Sequence, residues 1–70
     1  MSEISKQVGR LIRKYRVEKN ITQENLALLC GGIDRSYLGR IERGEVNLSV
    51  EKLYEIANTL EVHVRDLLPK

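Results

Sequence analysis

The chain has 70 residues, of which 41% are hydrophobic and 31% charged, with a formal net charge of +2. A chain this short is expected to make one domain, residues 1–70, burying only about 60% of the surface its unfolded form exposes, with no room in it for a separate ligand-binding or catalytic domain. No apolar run approaches the roughly 18 residues of a membrane span, the start MSEISKQ has no signal-peptide core, and the lone Cys30 lacks both a disulfide partner and the paired spacing of a zinc site. The expectation is a soluble, cytoplasmic protein with no metal, no cofactor and no membrane partner.

Aromatic residues are only 4%, namely Tyr15, Tyr37 and Tyr54, so the core must be aliphatic. The modest net charge hides an asymmetry. Up to Arg43 there are nine Lys or Arg against five Asp or Glu, a balance of +4; from Gly44 onward three basic residues face five acidic ones, a balance of −2. The first part suits phosphate and the second repels it.

Ile4, Val8, Leu11, Ile12 and Tyr15 fall at helical spacing and Lys6, Arg10, Arg13, Lys14 and Arg16 fill most of the remainder, which predicts an amphipathic first helix over about residues 5–19 with a basic polar side. Gly9 inside it costs roughly 1 kcal/mol relative to Ala, which suggests close approach by a neighbouring element. Asn20 suits the left-handed stop. Thr22 caps a brief second helix with Leu26, Ala27, Leu29 and Cys30 as its apolar face, and Gly31-Gly32 breaks it by permitting positive φ. Asp34 caps a third helix with Leu38 and Ile41 inward and Gly44 at its end. Ser49 caps a fourth, where Leu53, Ile56, Ala57 and Leu60 form a stripe and Glu51, Glu55 and Glu61 an acidic solvent side. The segment HVRDLLPK makes one or two further turns before Pro69, with His63 as its cap. The fold class is therefore all-α, a compact domain of five short helices.

The third helix carries the functional argument. Ser36, Arg40 and Arg43 are related by i, i+4 and i+7, with Arg35 at the helix start, so all four can project from one surface. A helix fits the major groove of B-DNA. Arg reads guanine O6 and N7 with two hydrogen bonds, worth about 1 to 3 kcal/mol of discrimination, and Ser reads either donor or acceptor edges. The start of the second helix, with its free N–H groups and Gln23, suits a DNA phosphate. A helix, a glycine turn and a recognition helix across residues 22–44 make a helix-turn-helix.

GRLIRKYRVEKNITQENLA, DRSYLGRIERGEVNLSVEKLYEIANTLEV and VRDLL together resemble the Xre-type, lambda-repressor-like helix-turn-helix regulators over nearly the whole chain. The small size and DRSYLGRIERGEVNLS are especially similar to the controller proteins of restriction-modification systems. The resemblance implies that Gln23 clamps a phosphate, that Arg35, Ser36 and Arg40 read bases, and that Arg43 lies near the backbone or minor groove. Thr22, Tyr37 and Asn47 join the expected phosphate contacts, Tyr37 being equally suited to packing against the second helix. The resemblance also implies a partly buried ion pair between Arg16 and Glu42, and a homodimer on a two-fold symmetric operator of double-stranded DNA. That dimer is implied to form through the last helical segment and the loop before it; the apolar Leu48, Val62, Val64, Leu67 and Leu68, within or just before the C-terminal segment 49–68, are either simple core or, in part, the dimer surface. RNA polymerase is the further partner this implies, blocked or recruited at the operator. One departure is expected at Gly31-Gly32, where an extra turn residue should shorten the second helix rather than tilt the third. Cys30 reads as a small packed hydrophobe. No nucleophile–base pair, phosphate loop or metal constellation supports an enzyme. The remaining alternative is a protein-interaction module of the same fold, antitoxin-like or coactivator-like, against which the basic recognition face argues.

Overall fold

The computed structural model describes residues 2–70. Helix α1 spans Glu3–Glu18, α2 Gln23–Leu29, α3 Arg35–Glu42 and α4 Val50–Leu60, followed by a single 3-10 turn at Val64–Leu67. The class is all-helical, with four α-helices and that turn in place of five helices. The reason lies at Pro69: the residue before a proline is driven out of the helical region, and Leu68 is extended at φ −102°, ψ 142°.

Each α-helix starts on a hydroxyl or carboxylate that accepts a backbone N–H otherwise left without a partner. Thr22, Asp34 and Ser49 do so at the predicted positions. Ser2 adds a fourth, its Oγ accepting from the Ser5 N–H at 3.0 Å, which starts α1 at Glu3 rather than near residue 5. Asn20 takes φ +58° after α1, and Gly44 takes φ +75° after α3. The turn between α2 and α3 passes through two successive left-handed residues, Gly31 at φ +77° and Gly32 at φ +74°. Helix α2 is seven residues long and is closed by Cys30.

The core is aliphatic, built around Ile12, Leu26, Leu38, Ile41, Ile56 and Leu60, with Cys30 buried among them. Tyr15 and Tyr37 pack at its edge. Helix α3 is the hub: it packs most extensively against α1 and α2. Gly9 permits the α1 contact, because a Cβ there would overlap the Ile41 carbonyl and stand 2.6 Å from that of Glu42.

Two sequence expectations are corrected. Leu29 is not on the apolar face of α2 but 62% exposed, because Leu26, Ala27 and Cys30 define the buried stripe and Leu29 falls roughly a third of a turn away from its centre. Ile4, counted among the apolar positions of the first helix, is likewise exposed.

Candidate nucleic-acid interface

Gln23, Arg35, Ser36, Gly39, Arg40 and Arg43 line one shallow concavity where the start of α2 meets the outer side of α3. The three arginines and Ser36 are exposed, while the opposite side of the same helix buries Leu38 and Ile41. Eight residues of α3 thus divide into a core face and a polar face. Gly39 lies under this concavity: a Cβ there would stand 3.2 Å from Arg43 Nη1 and 3.9 Å from the Gln23 amide. Gly39, like Gly9, is a glycine inside a helix, and that was the signal in the sequence that could have pointed to it.

Behind the concavity lies a buried ion pair. Arg16 Nε donates to Glu42 Oε2 at 2.6 Å and Arg16 Nη2 to Oε1 at 3.1 Å, while Nη1 donates to the Ile21 carbonyl at 2.8 Å. The expected link from the first helix to the third is therefore present, bidentate and almost fully enclosed. Gln23 joins it: its Nε2 donates to Glu42 Oε1 at 2.9 Å. One carboxylate thus orients both the α1–α3 junction and the amide that faces the concavity. Among the described residues no buried side-chain polar atom lacks a partner.

Arg43 continues the helical register as the C-cap of α3. Its Nε donates to Glu45 Oε2 at 2.7 Å and its Nη2 to Glu45 Oε1 at 3.5 Å. That hydrogen bond and the charge behind it hold the Glu45 carboxyl below its usual range and the Arg43 guanidinium above its own; the Arg40 charge acts on Glu45 in the same direction.

The remaining expected contacts are not brought together with this group. Thr22 is exposed, with its Oγ1 occupied by the Asn25 N–H at 3.1 Å. Tyr37 is half-buried against the core. Asn47 lies elsewhere, its Oδ1 accepting from Ser5 Oγ at 3.1 Å, in an apolar groove it shares with Ile4, Leu48 and Leu68. Of the expected dimer residues, Leu48, Val62 and Val64 are half-buried and Leu68 is 43% exposed. Leu67 is a correction: it has no exposed surface, because the 3-10 turn directs it into the core as the last aliphatic residue of the cluster. His63 stands at the N-cap of that turn, where its backbone N–H donates to Asp66 Oδ2 at 3.0 Å. No helix among the described residues is long and apolar enough to cross a membrane.

A helix capped over a double-glycine turn, followed by a second helix that buries one side and offers arginine on the other, defines the helix-turn-helix class of DNA-binding domains. The family model described as helix-turn-helix matches residues 12–67, and the chain belongs to that family of transcriptional regulators. It is 43% identical over 61 residues to the HTH-type transcriptional regulator SlrR of Bacillus subtilis (strain 168), a match covering 86% of this chain and 40% of that protein. It is 39% identical over 61 residues to the control protein C.BamHI of Bacillus amyloliquefaciens, covering 86% of this chain and 74% of that one. The chain thus spans less than half the length of SlrR and about three quarters of C.BamHI. Its fold matches the crystal structure of the restriction-modification controller protein C.AhdI from Aeromonas hydrophila with a TM-score of 0.85 at 38% identity, over 90% of this chain and 94% of that one.

Proposed function

We propose that the chain is a sequence-specific double-stranded DNA-binding regulator that acts as a homodimer on a two-fold symmetric operator, in the manner of a restriction-modification controller. The observation that carries this reading is the concavity itself, which gathers Arg35, Ser36 and Arg40 from α3 and Arg43 from its C-cap with the half-buried Gln23 from α2. Arg35, Ser36 and Arg40 read base edges in the major groove. Gln23, with one amide N–H given to Glu42, has a second to give to a phosphate, and Arg43 meets the backbone beside it. Bound DNA of this kind places the protein at a promoter, where it blocks or recruits RNA polymerase.

Size supports the homodimer reading. Successive major grooves on one face of B-DNA lie about 34 to 36 Å apart, whereas the longest extent of this domain is 26 Å. One chain reads one half-site, and a two-fold operator takes two. The groove formed by Ile4, Leu48 and Leu68 is the apolar surface from which we build the contact.

Gel-shift titration against the upstream promoter fragment and random duplex at matched salt tests the reading. Preference for the promoter fragment is expected, and equal binding to both would overturn it. Arg40→Ala should relax base preference, worth about 1 to 3 kcal/mol at the base it reads, whereas Gln23→Ala should weaken binding to every duplex evenly. Matched losses from the two variants would remove the division between reading and clamping.

A further inference from the structure

We propose that Glu45 is a built-in competitor for DNA phosphate: it holds the Arg43 guanidinium in the free protein and so sets the affinity of the interface for all DNA. The inference rests on the DNA-binding reading above and adds a residue that it does not use.

Three features place Glu45 in this role. First, its position is fixed by the backbone, since the left-handed Gly44 closes α3 with its N–H on the Ile41 carbonyl at 3.0 Å and the Glu45 N–H on the Arg40 carbonyl at 2.9 Å. That closure turns the chain back along the helix, so the carboxylate two residues after Arg43 returns to it. Secondly, the pair is two-pronged yet open to solvent: the side chains are 60% and 44% exposed, and exposed pairs of this kind are weak and screened by salt. A phosphate can therefore displace the carboxylate. Thirdly, Glu45 engages the Nε and Nη2 edge of Arg43, the fork that would also receive a phosphate, and its carboxylate feels the Arg40 charge of the same rim as well. The buried Glu42 behind the concavity is already neutralised by Arg16, so it offers DNA no comparable repulsion.

Phosphate contacts fix register and carry no sequence information. Release of Arg43 therefore acts equally on specific and random DNA. Removing the carboxylate also removes one negative charge from the interface, which makes the dependence of log affinity on log salt steeper by about 0.9 per phosphate newly neutralised.

The experiment compares wild type, Glu45→Gln, Arg43→Gln and the double variant on a random 30-base-pair duplex and on the best-bound promoter fragment, each over a salt series. Glu45→Gln should bind both duplexes about three- to tenfold more tightly at low salt, with a salt slope steeper by about one, and the gain should vanish in the Arg43→Gln background. A gain of the same size without Arg43 would show a general charge effect and overturn the proposal, as would unchanged or weaker binding, the latter making Glu45 a support for Arg43 rather than its competitor. Wild type that binds neither duplex at any salt concentration would overturn the DNA-binding reading itself.

Discussion

Glu42 collects three side-chain donors on one carboxylate, and its replacement should be felt throughout the domain. Removing one partner of an enclosed pair leaves an uncompensated charge, at about 3 to 5 kcal/mol, in a domain whose total stability by size is roughly 4 to 10 kcal/mol. Glu42→Ala should therefore shift the urea midpoint sharply downward, while the double change Arg16→Met with Glu42→Leu should lose much less. Equal losses would mean that the pair is replaced by water rather than left unpaired. Gly39→Ala tests the opposite balance. The alanine gains about 1 kcal/mol of helix propensity, and the closest atom its Cβ meets is the side-chain tip of Arg43 at 3.2 Å, with no backbone in the way. A higher melting temperature with weaker DNA binding is expected. At Glu45 the folded carboxyl lies below its ordinary value of 4.5, so its stabilising contribution is complete above that value and lost as pH falls through the lower folded one. In an NMR titration Arg43→Gln should raise the Glu45 midpoint. The shared face of Ser36, Arg40 and Arg43 was readable from i, i+4 and i+7 spacing, whereas the proposed division into base reading and phosphate contact came from resemblance. Arg16 with Glu42 was readable only through family resemblance, since 26 positions separate them and no local period joins such a pair.

At the scale of elements, caps and glycines carried the prediction well because they act locally. Thr22, Asp34 and Ser49 each accept a backbone N–H of the helix they begin, and alanine at any of them should cost about 1 kcal/mol by denaturant titration. Asp34 deserves the first trial, since its cap sets where the reading helix starts. Its loss should fray Arg35 and Ser36, lowering DNA affinity beyond the effect of stability. The double-glycine turn has open space around both Cα atoms. An alanine at Gly31 or Gly32 therefore meets only the backbone penalty of the left-handed region, about 1 to 2 kcal/mol. What local signals missed was set by tertiary context. Leu29 looks like core until the width of the α2 stripe is known, and Glu61 looks like a solvent-side helical residue although it closes α4 with φ +58°. The last segment has helical composition, but Pro69 leaves it room for only a single 3-10 turn.

At the scale of the whole molecule, the charge asymmetry read from the sequence becomes a division of surface. Arg35, Arg40 and Arg43 are exposed on and just after α3, while Glu51 and Glu55 are exposed on α4, a division that favours one orientation in the proposed approach to DNA. The proposed dimer then has to present two α3 helices one DNA turn apart. This was not readable from the chain: Leu67 was expected at the contact and is wholly buried, and Ile4, expected in the core, opens onto the groove beside Leu48 and Leu68. Leu68→Glu places a charge in that groove without touching the core cluster. Sedimentation should find this variant folded but more monomeric, and its binding to a two-fold operator should lose cooperativity while single half-site affinity is kept. Inserting about 5 base pairs, half a helical turn, between half-sites rotates the second site to the far face of the duplex. Wild type should lose its cooperative advantage on that spaced operator and regain part of it at about 10 added base pairs. If instead binding is indifferent to spacing, each chain binds alone and the two-fold operator has no role.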